Sequence, residues 1–113
     1  MNKNYSEQLI KLLEETRPEL VIHHRLEFKS VFGAVGCYYD GRIFASWGKF
    51  GFALRLPPVI LDNLFAKQSA RHLKYFLKGH VKKEYAVLQK RIIENKHQLG
   101  QLIDESLKYV SSL

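Results

Sequence analysis

The chain has 113 residues, a formal net charge of +7 and a hydrophobic fraction of 46%, which fits one globular domain with its own hydrophobic core. No apolar run in the sequence approaches the roughly 20 residues of a membrane-spanning helix. These properties exclude a membrane span, a disulfide-stabilised scaffold and a tandem of large domains.

The single cysteine, Cys37, cannot form a disulfide within the chain. We therefore expect a reducing compartment, the cytoplasm. Cys37 lies in an apolar, strand-like run from Val35 to Tyr39, with no neighbouring base or cation to activate it. The sequence predicts a buried, unreactive thiol.

The positive charge is concentrated in one third of the chain. Residues 67–97 carry nine basic and two acidic side chains, and the charges of the remaining residues cancel. Such a segment favours an acidic partner, which could be a nucleic acid, an anionic protein face or a phosphorylated ligand. The alternative is a solvated surface that keeps the domain soluble.

The first predicted element is an amphipathic helix from Tyr5 to Thr16. Leu9, Leu12 and Leu13 continue its apolar stripe at helical spacing. A capping pair is expected at Asn4 and Glu7, and Pro18 is expected to end the helix.

The period then changes to that of β-strands. Alternation begins at Leu26 and is predicted to continue to Tyr39, with a bend or bulge at Gly33 and Gly36. Asp40-Gly41 predicts a two-residue hairpin turn before a second strand, 42–47. A turn at Gly48-Lys49 and a third strand, 50–56, complete a predicted antiparallel meander.

The second half returns to helix, strands and helix. Pro57-Pro58 is expected to start a short helix to about Lys67. Alternation at 73–77 and 81–87 predicts a second hairpin, and apolar spacing predicts a closing helix from about Lys96. The order α-β-β-β-α-β-β-α predicts an α+β fold, an antiparallel sheet with helices packed on it.

The second hairpin is the strongest candidate for a binding site. Lys74, Phe76 and Lys78 share one predicted strand face, and Lys82 and Lys83 follow the turn. Basic side chains interleaved with aromatic rings can bind nucleic acid by phosphate contacts and base stacking. Alternatively, the aromatic residues pack on the core while the lysines are solvated.

Patterns typical of catalysis or metal binding are missing from the sequence. The adjacent His23 and His24 would point to opposite strand faces, and the five histidines lack ligand spacing. There is no nucleophile-elbow pattern, and Glu14-Glu15 and Asp104-Glu105 are typical of solvated helix surface. We expect no catalytic residue, no metal and no cofactor.

The segment 30–45 resembles the TfoX N-terminal domain family, with a Phe-Gly-x-x-Gly turn, an apolar strand and an Asp-Gly-led strand ending in Phe-Ala. Leu54-Arg55-Leu56 matches the stretch that follows in the family. The resemblance implies the TfoX-N/YgaC-like α+β fold, related in architecture to secretion chaperones. The matching residues are Phe32, Gly33, Gly36, Asp40, Gly41, Arg42, Phe44 and Ala45. Their simplest interpretation is structural, with the glycines forming turns and Phe32 and Phe44 in the core.

The resemblance also implies a function. The family is named for bacterial competence regulators that act with the cyclic-AMP receptor protein and carry a second, C-terminal domain. We expect residues 1–113 to form a single TfoX N-terminal-like domain without that second domain. The predicted function is a non-enzymatic, cytoplasmic regulatory module that binds a protein, with the cyclic-AMP receptor protein or other transcription machinery as partner by resemblance. Nucleic-acid binding through the basic hairpin at 73–88 is the alternative, and homodimerisation is left open.

Overall fold

The computed structural model describes residues 4–22, 25–74 and 79–113. The helices and strands of the described residues follow one another as α1 (Tyr5–Thr16), α2 (Pro18–Ile22), β1 (Leu26–Val31), β2 (Ala34–Tyr39), β3 (Arg42–Gly48), β4 (Gly51–Arg55), α3 (Pro58–Ala66), β5 (Ala70–Leu73), β6 (Lys82–Leu88), α4 (Lys90–Glu94) and α5 (Lys96–Ser111). The strands form one antiparallel sheet in the order β1-β2-β3-β4-β6-β5. The predicted α+β class and the predicted succession of helix, strands, helix, strands and helix are confirmed.

Both long helices begin after an asparagine cap, of which only Asn4 was predicted. The Asn4 side chain accepts a hydrogen bond from the Glu7 N–H at 3.2 Å, and Asn95 accepts one from the Gln98 N–H at 3.1 Å. Each cap satisfies a backbone donor that the first helical turn leaves unpaired. Pro18 ends α1 as predicted, and it also begins the short helix α2, which the sequence did not predict.

The prediction of one strand from Leu26 to Tyr39 is wrong. Phe32 and Gly33 have φ values of +49° and +79° and form a two-residue turn, so Val31 pairs with Ala34. This pair of positive φ angles is that of a type I′ turn, whose twist suits a hairpin. The meander therefore has four strands rather than three.

The predicted turn at Asp40 and Gly41 follows the same principle, with φ values of +50° and +83°. The next turn lies one residue later than predicted, at Lys49 and Phe50, between the paired residues Gly48 and Gly51. There the positive φ, +106°, belongs to Gly51. The second hairpin begins earlier than predicted, at Ala70, and its predicted segment 75–77 lies outside the described residues.

The main core lies between one face of the sheet and the helices. α1 packs on β2 and β3, α5 on β3 and β4, and α3 on β5 and β6. A bulge where Cys37 and Tyr38 face β3 allows the consecutive residues Phe44 and Ala45 both to be fully buried. The largest fully buried side chains include Phe44, Phe52, Leu9, Leu13, Leu54, Leu99 and Ile103.

A second, smaller cluster lies apart from this core. It consists of the buried residues Ala53, Leu73 and Val87, against which Phe50 and Tyr85 pack. The cluster joins β4, β5 and β6, so it fixes the base of the second hairpin.

Among the described residues, no helix is long and apolar enough to cross a membrane.

Candidate binding surface

Three of the five predicted binding residues lie at one end of the β5–β6 hairpin. Leu73 pairs with Lys82 in the antiparallel ladder, so Lys74 and Lys83 each lie one residue from this pair, on opposite sides of it along the strands. Lys74, Lys82 and Lys83 are all exposed. The other two predicted residues, Phe76 and Lys78, lie outside the described residues. We call Lys74, Lys82 and Lys83 the basic surface.

A shift in strand register shapes this end of the hairpin. His72 pairs with Ala86, but the next residue of β5, Leu73, pairs with Lys82. Residues 83–85 of β6 are therefore extra residues relative to β5 and form a bulge, which is a common way for a sheet to re-aim side chains. Lys83 and Tyr85 belong to this bulged segment and, with Lys82, line a groove that includes part of the basic surface.

This groove has a volume of about 270 Å³ and is lined by Ile43, Arg55, Lys82, Lys83, Glu84 and Tyr85. Arg55 Nε donates to Glu84 Oε1 at 2.6 Å, and Arg55 Nη1 lies 3.4 Å from the Ile43 carbonyl oxygen. Arg55 and Glu84 therefore neutralise each other. The excess positive charge of the groove comes from Lys82 and Lys83.

Phe32 lies beside Lys82, not in the core. Its side chain is 60% exposed, and Lys82 Nζ lies 5.7 Å from the centre of its ring, which is a cation–π distance. The prediction of Phe32 as a core residue is wrong because the residue occupies the tip of the β1–β2 hairpin. The prediction of Phe44 as a core residue is confirmed.

The contact between Phe32 and Lys82 joins two segments that are not neighbours in the sheet. β2 and β6 are separated by β3 and β4, which in a flat sheet places them about 14 Å apart. The sequence did not identify Phe32, Arg55 or Tyr85 as part of this surface, since only tertiary contacts and the β6 bulge place them beside the lysines.

The ion pairs explain why positive charge persists here. Arg17 pairs with Asp104, Arg25 with Asp40, Lys90 with Glu94 and Lys96 with Glu15, all outside the basic surface. Within the described ranges, neither Lys74 nor Lys83 forms an ion pair. Two solvated ammonium groups are therefore available to an anionic partner.

The glycines of the family motif, together with Asp40, form the turns and the close packing of the β1–β2 and β2–β3 hairpins. Gly33 and Gly41 occupy positive-φ turn positions, and Asp40 pairs with Arg25 beside its turn. Gly36 is needed for space, because a β-carbon there would lie 2.8 Å from Ile43 Cδ1. Arg42 is exposed at the start of β3.

Reactive groups do not converge among the residues that the structure describes. No group of three or more His, Cys, Asp or Glu side chains there could hold a metal ion. Burial raises the pKa of the Cys37 thiol to about 12, so the thiolate is scarce at neutral pH. His72 packs on Phe65 with ring centres 4.2 Å apart, and His23 and His24 lie outside the described residues.

Residues 20–110, most of the chain, match the model of the TfoX N-terminal domain family. The chain therefore belongs to this family, as its hairpin motifs indicated. Comparison with curated proteins gives no significant match.

Proposed function

We propose that this domain is a non-enzymatic regulatory module that binds an acidic protein surface through Lys74, Lys82 and Lys83. The observation that carries the proposal is the gathering of three exposed lysines at one end of the second hairpin, with Lys74 and Lys83 lacking an acidic partner in the described part of the chain. Membership of the TfoX N-terminal domain family supports a regulatory role related to competence.

The proposed partner belongs to the transcription machinery. The cyclic-AMP receptor protein is the first candidate, through the family resemblance alone. Exposed lysines at the rim of an interface mainly raise the association rate and select acidic partners. Binding should therefore weaken as salt screens the charges.

Two charge-reversal double variants, one of them a control, test this proposal. Lys74→Glu with Lys83→Glu reverses the basic surface, and Lys11→Glu with Lys108→Glu makes the same change in net charge on exposed positions of α1 and α5. Binding of each double variant to purified cyclic-AMP receptor protein is measured by biolayer interferometry at two salt concentrations. A nuclease-treated bacterial extract is passed over the same variants to detect other partners.

We expect the basic-surface variant to lose at least about tenfold in affinity and the matched control to bind as the parent does. Equal binding by both variants would contradict the assignment of the surface. If neither the receptor protein nor any stoichiometric extract protein binds the parent, the protein-binding proposal fails.

One observation favours nucleic acid as a second candidate. Lys82 lies over the exposed ring of Phe32, so a cation and a stacking surface lie side by side, as in proteins that bind single strands. Fluorescence anisotropy with labelled single- and double-stranded DNA at two salt concentrations tests this candidate. Binding to phosphates should weaken steeply with salt.

Phe32→Ala separates stacking from charge. Loss of stacking should weaken single-stranded binding by about tenfold and leave double-stranded binding nearly unchanged. The absence of DNA binding at low salt would exclude this candidate and leave the protein partner.

A further inference from the structure

The outer edge of β1 carries a self-complementary pattern. β1 pairs with β2 on one side and forms the end of the sheet on the other. The packed helices cover strands β2 to β6 and make no extensive contact with β1 among the described residues. An unpaired strand edge offers backbone donors and acceptors to another strand.

The turn at Phe32-Gly33 determines which residues of β1 offer those groups. In a two-residue hairpin the flanking pair, here Val31 and Ala34, exchanges both hydrogen bonds. Hydrogen-bonded and non-hydrogen-bonded pairs then alternate along an antiparallel ladder. Lys29 and Glu27 therefore direct their backbone groups toward β2. Leu26, Phe28 and Ser30 direct theirs outward.

From this edge we infer that the protein forms a symmetric dimer in which β1 pairs antiparallel with β1 of a second copy, centred on Phe28. In that register Phe28 faces Phe28 of the second copy, and Leu26 faces Ser30. These pairs use the outward backbone groups and would form roughly six hydrogen bonds. The two sheets would become one continuous sheet.

Charge selects this register over its neighbours. Centring on Phe28 places Glu27 directly opposite Lys29 of the second copy, twice by symmetry. Both residues are exposed and lie on one face of β1, where Lys29 Nζ is 4.9 Å from the Tyr38 ring centre. Non-hydrogen-bonded pairs have close Cα atoms, about 4.5 Å apart, so opposite charges there attract. Centring on Glu27 or Lys29 would place like charges opposite each other.

The face of β1 that is turned toward the helices also favours pairing with a second copy. Phe28 is half-buried at the sheet margin and packs against the core only in part. Its counterpart across the two-fold axis would cover the remaining surface. β1 has no proline that would block pairing. The register of the pairing is therefore restricted by the opposed charges of Glu27 and Lys29.

Charge swaps test the dimer by sedimentation velocity from about 1 to about 200 µM. The parent should dimerise within this range. Glu27→Lys and Lys29→Glu should each raise the dimer dissociation constant about tenfold or more, because each places two like-charge pairs across the axis. Mixing the two single variants should give a heterodimer, since a strand with lysine at both positions then faces a strand with glutamate at both. The double variant should dimerise like the parent.

A backbone variant gives an independent readout. Ser30→Pro removes an N–H that points toward the second copy and should give a monomer, while Ser30→Ala keeps that N–H and should stay dimeric. Near-UV circular dichroism checks that each variant is folded. A monomeric parent, an unweakened Lys29→Glu dimer, or a mixture that stays monomeric would each overturn the inference. None of these variants alters the basic surface, so failure of the dimer proposal and failure of the proposed function can be told apart.

Discussion

Arg17 and Asp104 join the end of α1 to the middle of α5 through two parallel hydrogen bonds. Arg17 Nε and Nη2 each donate to an Asp104 carboxylate oxygen at 2.7 Å, and Arg17 Nη1 donates to the Thr16 carbonyl at 2.6 Å. The bond to Asp104 raises the pKa of Arg17. Gly100 allows this placement, because a β-carbon there would lie 2.5 Å from Arg17 Nη1.

A double-mutant cycle should measure this pair. Asp104 is 56% exposed and Arg17 33%, so we expect a coupling free energy of about 0.5–1 kcal/mol between Arg17→Ala and Asp104→Ala in urea unfolding. In a Gly100→Ala background the guanidinium must move, and the coupling should fall by at least about half. An unchanged coupling in that background would show that Gly100 does not position the pair.

Ser106 should contribute strongly to stability. Its hydroxyl is fully buried on α5 and lies 2.6 Å from the Arg55 carbonyl oxygen and 3.1 Å from that of Phe44. Ser106→Ala should lower the free energy of unfolding by about 1–3 kcal/mol, because it leaves buried carbonyl groups without this donor. Ser111→Ala, at an exposed position of the same helix, should change it by less than about 0.5 kcal/mol. Equal effects in urea unfolding would contradict this role.

Position 36 should accept a larger side chain only if the neighbouring Ile43 is replaced by a smaller residue. A β-carbon at Gly36 would lie 2.8 Å from Ile43 Cδ1 and 3.0 Å from Val31 Cγ2. Gly36→Ala should destabilise the protein by about 1–3 kcal/mol through overpacking. Ile43→Val removes the closest atom, so the double variant should recover part of that loss. If the destabilisations by Gly36→Ala and Ile43→Val simply add in thermal unfolding, the contact between these two positions is not the cause of the loss of stability.

Cys37 should resist thiol reagents in the folded protein. Burial raises its pKa from 9.0 to about 12, so at pH 8 a disulfide reagent such as DTNB should react quickly only after unfolding. Cys37→Ser with Ser111→Cys, which moves the thiol to an exposed position, should react quickly when folded. Rapid labelling of the folded parent would contradict the burial of Cys37.

The same shift predicts a loss of stability in alkali. The folded-state pKa lies above the unfolded value, so the contribution of Cys37 is fully present below pH 9 and is lost as the pH rises toward 12. Cys37→Ser should show a smaller decline of the unfolding free energy across that range, measured by urea unfolding at several pH values. An identical decline in both proteins would rule out the thiol as its source.

The basic surface was only partly predictable. The excess of lysines in 67–97 correctly indicated an exposed basic hairpin, because charged side chains stay in water. Phe32 was missed because its neighbour Lys82 is fifty positions away in the chain. No local pattern reports that contact, and alternation from Leu26 onward suggested a core position for the ring.

The sequence by itself determined the elements whose signals are local. The bounds of α1, the start of α5 and the turn at Asp40-Gly41 follow from apolar spacing, capping side chains and positive-φ residues, which act within a few positions of the chain. Tertiary structure alone decided that β6 lies between β4 and β5 and that Phe32 lies beside Lys82. These features depend on pairing and packing between distant segments, so their free energy is set only when the whole sheet assembles.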